Sequence, residues 1–233
     1  YPIGKTDSVS YEIPENVVTV KEYAFEKSKK LSTLTISSSV NSIEQYALKE
    51  CYSLQEIKIS GTNNVYSIET QVGLIENKNN EIKLIVYPYA KKDIQKYIVP
   101  EDITIIEGYA LYQTHFVYIK MNEKVKRIGE YAMSGMQQMT TLTLPISLNE
   151  IGKEAMTNMK SMRILVKRGN IEINCGEETT VFETSETMKM YISKEITKTT
   201  ICGRTVENTI EQSNKSGEYV DYITTTKGEL IIY

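Results

Sequence analysis

Ile36-Ser-Ser-Ser-Val-Asn-Ser-Ile-Glu-Gln-Tyr-Ala-Leu-Lys-Glu-Cys-Tyr-Ser-Leu-Gln-Glu-Ile-Lys58 decides the fold, because Ile59 begins the same pattern again. Set this stretch against the one 23 residues earlier and the apolar positions coincide. Val40 falls on Val17, Ile43 on Val20, Tyr46 on Tyr23, Ala47 on Ala24 and Leu48 on Phe25. Cys51 then falls on Ser28, Leu54 on Leu31, Ile57 on Leu34 and Ile59 on Ile36. The coincidences run without a gap, so the chain is expected to be a solenoid of stacked, similar coils.

The same register runs through much of the sequence. Val9-Ser-Tyr-Glu-Ile13 alternates apolar and polar as a half-buried strand does, and it opens a truncated first repeat after a frayed lead-in, Tyr1 to Ser8. Repeats follow at 13–35 and 36–58. The pattern returns at Val99-Pro100 and continues from Met121 and from Leu144-Pro145, until its last inward slot falls on Lys167. Residues 60–97 show no repeat. Val72-Gly-Leu-Ile75 and Ile82-Lys-Leu-Ile-Val-Tyr87, on either side of a polar tip, predict an inserted β-hairpin. The solenoid is thus assigned to residues 9–168, with the insertion at 60–97.

From Gly169 onward Thr, Glu, Lys and Ser dominate, and short runs alternate like strands. These are Ile171-Glu-Ile173, Met188-Lys-Met-Tyr-Ile192 and Tyr219-Val-Asp-Tyr-Ile223, with Thr226-Lys-Gly-Glu229 marking a terminal hairpin. Residues 169–233 are expected to form a β-rich cap or small domain that covers the apolar end of the stack. The whole is expected to be mainly β, with short turns or helical segments on the outer flank.

Each repeat carries two apolar lines. Leu31, Leu34, Ile36 and Leu54, Ile57, Ile59 read as short strands whose inward side chains stack on the next strand. Val40, Ile43, Ala47 and Leu48 return to the same core from the other side. Alanine stands in every repeat at 24, 47, 110, 132 and 155, a place where coils approach too closely for a larger side chain.

The pattern strongly resembles the BspA-like class of leucine-rich repeats, whose unit reads approximately Leu-x-x-Ile-x-Ile-Pro-x-x-Val-x-x-Ile-Gly-x-x-Ala-Phe-x-x-Cys. Met139-Thr-Thr-Leu-Thr-Leu-Pro-Ile-Ser-Leu-Asn-Glu-Ile-Gly-Lys-Glu-Ala-Met156 follows it almost letter for letter. Gly129 and Gly152 match the family glycine, whereas Lys21, Glu44 and Glu107 depart from it. The family phenylalanine survives at Phe25. The resemblance covers roughly residues 10–168 and not the tail. It implies a secreted or surface-anchored protein of a bacterium or protozoan parasite that acts in adhesion to host matrix proteins or other cells.

Composition narrows the alternatives. A net charge of −3, from 27 basic and 30 acidic residues, argues against nucleic acid or an anionic membrane as the main partner. No run approaches the roughly 20 apolar residues of a membrane-spanning helix. The first residues carry no export signal, and a chain opening on Tyr1 is expected to be trimmed, with any such signal lost from view. Cys51 sits at an inward position and is expected to be a buried free thiol. Cys175 and Cys202 could form one disulfide in an exported protein, a pairing that spacing leaves open.

For sites, the residues flanking each inward pair point outward from the strands. They include Thr33, Thr35 and Ser37; Glu56, Lys58 and Ser60; Tyr118, Lys120 and Asn122; Thr141, Thr143 and Pro145; and Ile164, Val166 and Arg168. The candidate ligand-binding residues are Glu56, Lys58, Tyr118, Lys120, Thr141 and Thr143, with Tyr118 between Lys58 and Lys120 as the best contact patch. The competing view is a merely solvated threonine-rich face. Ile164 and Val166 are apolar there, so the tail is expected to fold over them.

Tyr23, Tyr46, Tyr109 and Tyr131 recur beside the alanines and should form a ladder on the opposite flank, packed against neighbouring coils with hydroxyls in water. Such a stripe can also grip carbohydrate. His115 reads as a surface residue at a turn. Asn214-Lys-Ser216 is a glycosylation-type sequon, and Glu177-Glu178 falls in a loop. No catalytic motif, metal-ligand spacing or phosphate cradle appears, so no enzyme activity, cofactor or metal is expected. The expected role is non-catalytic adhesion or protein–protein interaction, with a glycan-binding module or a structural spacer as alternatives.

Overall fold

The computed structural model describes residues 9–69, 71–168, 171–175, 189–192, 198–201 and 204–207. Within them the chain winds as a β-solenoid of about seven turns. Each regular turn lays down one strand on a face and a two-residue strand on the flank. In order these are β1 (Ser10–Glu12) and β2 (Thr19–Val20), β3 (Thr33–Ile36) and β4 (Ser42–Ile43), then the face strand β5 (Glu56–Ile59). Three longer strands follow: β6 (Tyr66–Glu69), β7 (Gly73–Lys78) and β8 (Glu81–Val86). The regular alternation resumes with β9 (Lys96–Ile98) and β10 (Ile105–Ile106), β11 (Tyr118–Lys120) and β12 (Arg127–Ile128), β13 (Thr141–Leu144) and β14 (Glu150–Ile151). Beyond these lie β15 (Ile164–Lys167), β16 (Lys189–Ile192), β17 (Lys198–Ile201) and β18 (Arg204–Glu207).

The register is the one the sequence spacing requires. Tyr11 pairs with Leu34 and Leu34 with Ile57, parallel and 23 residues apart, so inward side chains stack in columns. Leu31, Leu34, Ile36, Val40, Ala47, Cys51 and Leu54 are all buried. The alanines mark a seam of inter-coil hydrogen bonds: Phe25 N to Ala47 O, Leu111 N to Ala132 O and Met133 N to Ala155 O, at 2.8–2.9 Å. Ala24, beside the end of the stack, is only half-buried. Cys51 is a buried free thiol, its Sγ donating to Phe25 O at 3.0 Å, and burial pushes its pKa up to about 12.

No helix forms on the flank among the described residues. The reason is conformational. Tyr23, Tyr46, Tyr109, Tyr131 and Glu154 all adopt φ between 51° and 63°, and four residues later Lys27, Glu50, Gln113, Gly135 and Asn158 are left-handed again. Two left-handed residues one helical turn apart prevent a right-handed helix and close a tight corner instead.

The segment 60–97 holds the expected hairpin, β7 and β8 being antiparallel around Asn79 and Asn80, both with positive φ. It also holds a full coil, which corrects the view that it carries no repeat. β8 pairs parallel with β10 (Leu84 to Ile106), Tyr87 N bonds Ala110 O at 2.8 Å, and β9 pairs parallel with β11. One arm of the hairpin therefore doubles as a rung. The hairpin also divides the interior. Leu74 and Val86 pack with the N-terminal core from Ile13 to Ile57, while Ile75, Leu84 and Tyr87 pack with the core that runs on to Ile201.

The stacking extends past residue 168. β15 pairs parallel with β16 edge to edge, and Asn174 and Ile173 bridge to Glu150 and Ile201. The described part of the tail thus lies beside β15 rather than over the outer face where Val166 points. Lys167 keeps its inward slot, fully buried and in backbone register with Leu144 and Ile192, and burial lowers its pKa. Tyr1 to Ser8, Glu177-Glu178, Cys202, the sequon at Asn214, the strand at 219–223 and the terminal hairpin lie outside the described residues.

Candidate functional site

Alternation along the face strands turns Glu56, Lys58, Tyr118, Lys120 and Thr143 to solvent and leaves Thr141 half-exposed. The third position behaves differently in three of the rungs, while Ser60 is half-buried and Arg168 exposed. Ser37, Asn122 and Pro145 are buried, because the chain turns the corner there and their side chains serve the turn. Asn122 Nδ2 donates to Ile103 O at 2.9 Å and its Oδ1 accepts from Lys124 N at 2.7 Å. Ser37 Oγ donates to Pro14 O at 3.2 Å.

The structure does not bring the candidates into one patch. Glu56 and Lys58 pair with each other at 3.0 Å on β5, whose one strand partner among the described residues is β3. Tyr118 and Lys120 lie on β11, whose bonded neighbour is β9, so Tyr118 sits beside Lys96 and Lys120 beside Ile98. The rung of Lys96 and Ile98 separates them from Lys58. Ile98 is 63% exposed and Tyr118 47%, with Val117 also exposed next to them. Neither Lys96 nor Lys120 is in an ion pair among the described residues. An apolar strip between two free ammonium groups is thus the most contact-ready part of the face. Sequence reasoning missed Lys96 and Ile98 because Tyr97 replaces the usual Leu or Ile. The signal was Val99-Pro100, which ends a face strand and so requires one before it.

On the flank the tyrosines form the expected ladder. Tyr23 stacks on Tyr46 at 5.6 Å, Tyr46 meets Tyr109 edge-on at 5.7 Å, and Tyr109 stacks on Tyr131 at 5.0 Å. Lys49 Nζ lies 5.2 Å from the Tyr109 ring centre and 5.8 Å from that of Tyr23. The hydroxyls are not all in water. Tyr46 donates to the Glu130 carboxylate, and burial together with that carboxylate raises the pKa of its phenol well above the usual range. The rings cover one another along the ladder, and Tyr23 at its end is the member left exposed, at 45%.

Beside it a cavity of about 260 Å³ opens where the hairpin meets the flank, lined in part by Glu44, Tyr46, Glu76, Lys83, Glu107 and Arg127. Arg127 Nη2 contacts Glu107 Oε1 at 3.0 Å, and Lys83 Nζ lies 3.5 Å from Glu76 and 3.6 Å from Glu107. Tyr66, buried, donates to Glu76 at 2.9 Å and accepts from Ile43 N at 2.7 Å. Cation and carboxylate are matched, so the network binds hairpin to coils and supplies no unpaired base or nucleophile. Among the described residues no group of three or more His, Cys, Asp or Glu is placed to hold a metal ion. His115, expected at the surface, is half-buried, and its Nε2 meets no hydrogen-bond partner among the described residues. Cys175 is disulfide-bonded.

Comparison with known proteins completes the picture. The family model described as BspA type leucine-rich repeat region matches in six copies over residues 5–85 and 81–202. A leucine-rich repeat protein from Eubacterium ventriosum is similar with 21% identity and a TM-score of 0.63, over 70% of this chain and 43% of its own. A leucine-rich cell surface protein from Faecalibacterium prausnitzii has 17% identity and a TM-score of 0.52, over 68% and 53%. The pneumococcal vaccine antigen PcpA has 17% identity and a TM-score of 0.51, over 80% and 63%. The chain therefore spans less than two thirds of the length of each. Comparison with curated proteins finds no match.

Proposed function

The chain belongs to the BspA-type leucine-rich repeat family, and from that premise we propose that it is a non-catalytic interaction module of an exported surface protein, engaging another protein through its strand face. The observation that carries the proposal is the exposed strip of Ile98 and Tyr118 between Lys96 and Lys120, neither of them in an ion pair among the described residues. Tyrosine and an aliphatic side chain supply apolar area, and the flanking ammonium groups favour an acidic rim on the partner. Thr141 and Thr143 extend the surface on β13, whereas Glu56 and Lys58 form a separate patch on β5. Surface location is supported by the descriptions of the cell surface protein and the vaccine antigen, and by a disulfide at Cys175, which suits an oxidising exterior.

The test is binding of the purified chain to an array of extracellular-matrix proteins and glycans. A protein hit lost in Tyr118→Ala and weakened in Lys120→Glu, but kept in the off-face variant Glu101→Gln, is the expected result. A glycan hit lost on changing Tyr23 or Tyr46 instead moves the site to the ladder. A flat array leaves the spacer role as the better account of this chain.

A further inference from the structure

The face sheet is broken, and the break has the chemistry of a strand acceptor. In a parallel ladder the N–H and C=O of alternate residues point to opposite sides. Glu56 N and Ser60 N both donate back to the preceding rung, at Ser32 O and Ile36 O, so the main chain of Ile57 and Ile59 points away from β3. Val117 N donates to Gln95 O and Val99 N to Lys120 O, so β9 turns residues 95, 97 and 99 to β11 and directs the main chain of Lys96 and Ile98 back toward β5. Among the described residues no strand pairs with β5 on its far side, nor with β9 on the side that faces it. Just before β5 the coils still meet, Leu54 O accepting from Ala90 N at 2.8 Å, and beyond that contact the hairpin holds the two edges apart. Between β5, the β6–β7 turn and the segment before β9 lies a cleft of about 480 Å³, lined by Glu56, Ile57, Ile68, Glu69, Lys91 and Lys92 among others.

We propose that this cleft accepts an extended polypeptide strand from a partner protein, which pairs by main-chain hydrogen bonds with the free edge of β5. The occupant follows from the lining. The edge of β5, roughly 13 Å long over four residues, presents the N–H and C=O of Ile57 and Ile59 in alternation, the complement of another extended main chain, and Glu56 and Ile57 line the cleft itself. The volume lies within the roughly 300–1,000 Å³ range of ligand-binding clefts. Exposed Ile68 offers apolar contact, and the lining carries both signs, Glu56 (paired with Lys58) and Glu69 with Lys91 (paired with Asp93) and Lys92, which suits a strand with side chains of both signs. This site is distinct from the strip on β9 and β11, and failure of either leaves the other standing.

The experiment uses the full chain and, as surrogate strand, a capped peptide copying its own regular rung, Met139 to Pro145. Hydrogen exchange of the free protein comes first, with the Ile57 and Ile59 amides expected to exchange much faster than that of Lys58. Titration with the peptide should then give saturable binding and slow those two amides selectively. A peptide N-methylated at alternate residues keeps every side chain but loses one edge of donors, and should bind at least about tenfold more weakly. The proposal is overturned if the Ile57 and Ile59 amides are already protected in the free chain, if the peptide does not bind, or if N-methylation leaves its affinity unchanged.

Discussion

The N-terminal and C-terminal coils place different residues at one repeat position and reach the same backbone contact. At that position Gly129 N donates to Ile106 O and Gly152 N to Ile128 O, each at 2.7 Å, while Glu44 N donates to Val20 O at 2.9 Å. In the C-terminal half the coils are so close that a Cβ on Gly129 would lie 2.5 Å from Gly108 N, and one on Gly152 2.5 Å from Glu130 N. In the N-terminal half Lys21 and Glu44 occupy the position, projecting outward and pairing at 2.7 Å. Gly129 and Gly152 settle the position by leaving out a side chain, Lys21 and Glu44 by matching charges in water, and Glu107, the first of the C-terminal set, by pairing with Arg127 at 3.0 Å. A family consensus residue thus records a local spacing, and where the spacing relaxes the residue is free to change.

The hairpin wall is where this comparison breaks most sharply, because both cores lean on it. Leu74 is fully buried on its N-terminal side, and Leu74→Ala should cost about 2–5 kcal/mol, read by denaturant unfolding. If exchange protection falls across 13–57 and not across 103–165, the wall serves the two cores separately. Next in size is Gly152→Ala, expected to cost about 1–3 kcal/mol or more as backbone meets Cβ, with the loss confined to the C-terminal coils. Tyr66→Phe strips a partner from both Glu76 and the Ile43 amide and should cost about 1–3 kcal/mol.

A pH experiment probes both halves together. The phenols of Tyr66, Tyr87, Tyr97 and Tyr109 are all held above the usual range, in each case chiefly by burial. The folded chain keeps these protons after an unfolded chain would release them. Stability is therefore unaffected below about pH 10 and falls as pH rises beyond it. Tyrosinate absorbance should appear for these residues together with unfolding, not before it. The smallest effect is expected for Lys21→Ala. It should leave the melting curve nearly unchanged while the Glu44 carboxyl, held low by hydrogen bonds from the Lys21 ammonium and then the Glu22 amide, titrates at higher pH by NMR.

The register, the inward columns, the alanine seam and the tyrosine ladder were legible because each rests on side-chain size repeated at fixed spacing. The coil within 60–97 was hidden for the opposite reason. Its inward slots hold Tyr87 and Tyr97 in place of aliphatic residues, and a hairpin separates it from the coil before. The flank corners were hidden too, since left-handed backbone falls mostly on Tyr, Lys, Glu and Gln, with one asparagine, Asn158, and one glycine, Gly135. Lys58 and Tyr118 read as neighbours because repeats adjacent in pattern were taken as adjacent in space. The hidden rung carries the residues that part them.

The divided core has a mechanical consequence. A chain held at both ends is loaded in tension, and this one has two apolar compartments with a wall between them. Pulled from its ends, the molecule is expected to lengthen in two steps. Release of the N-terminal compartment, residues 10–59, would pay out roughly 165 Å of chain. The C-terminal coils, with the Ile98 and Tyr118 strip, would stay folded while that slack was taken up.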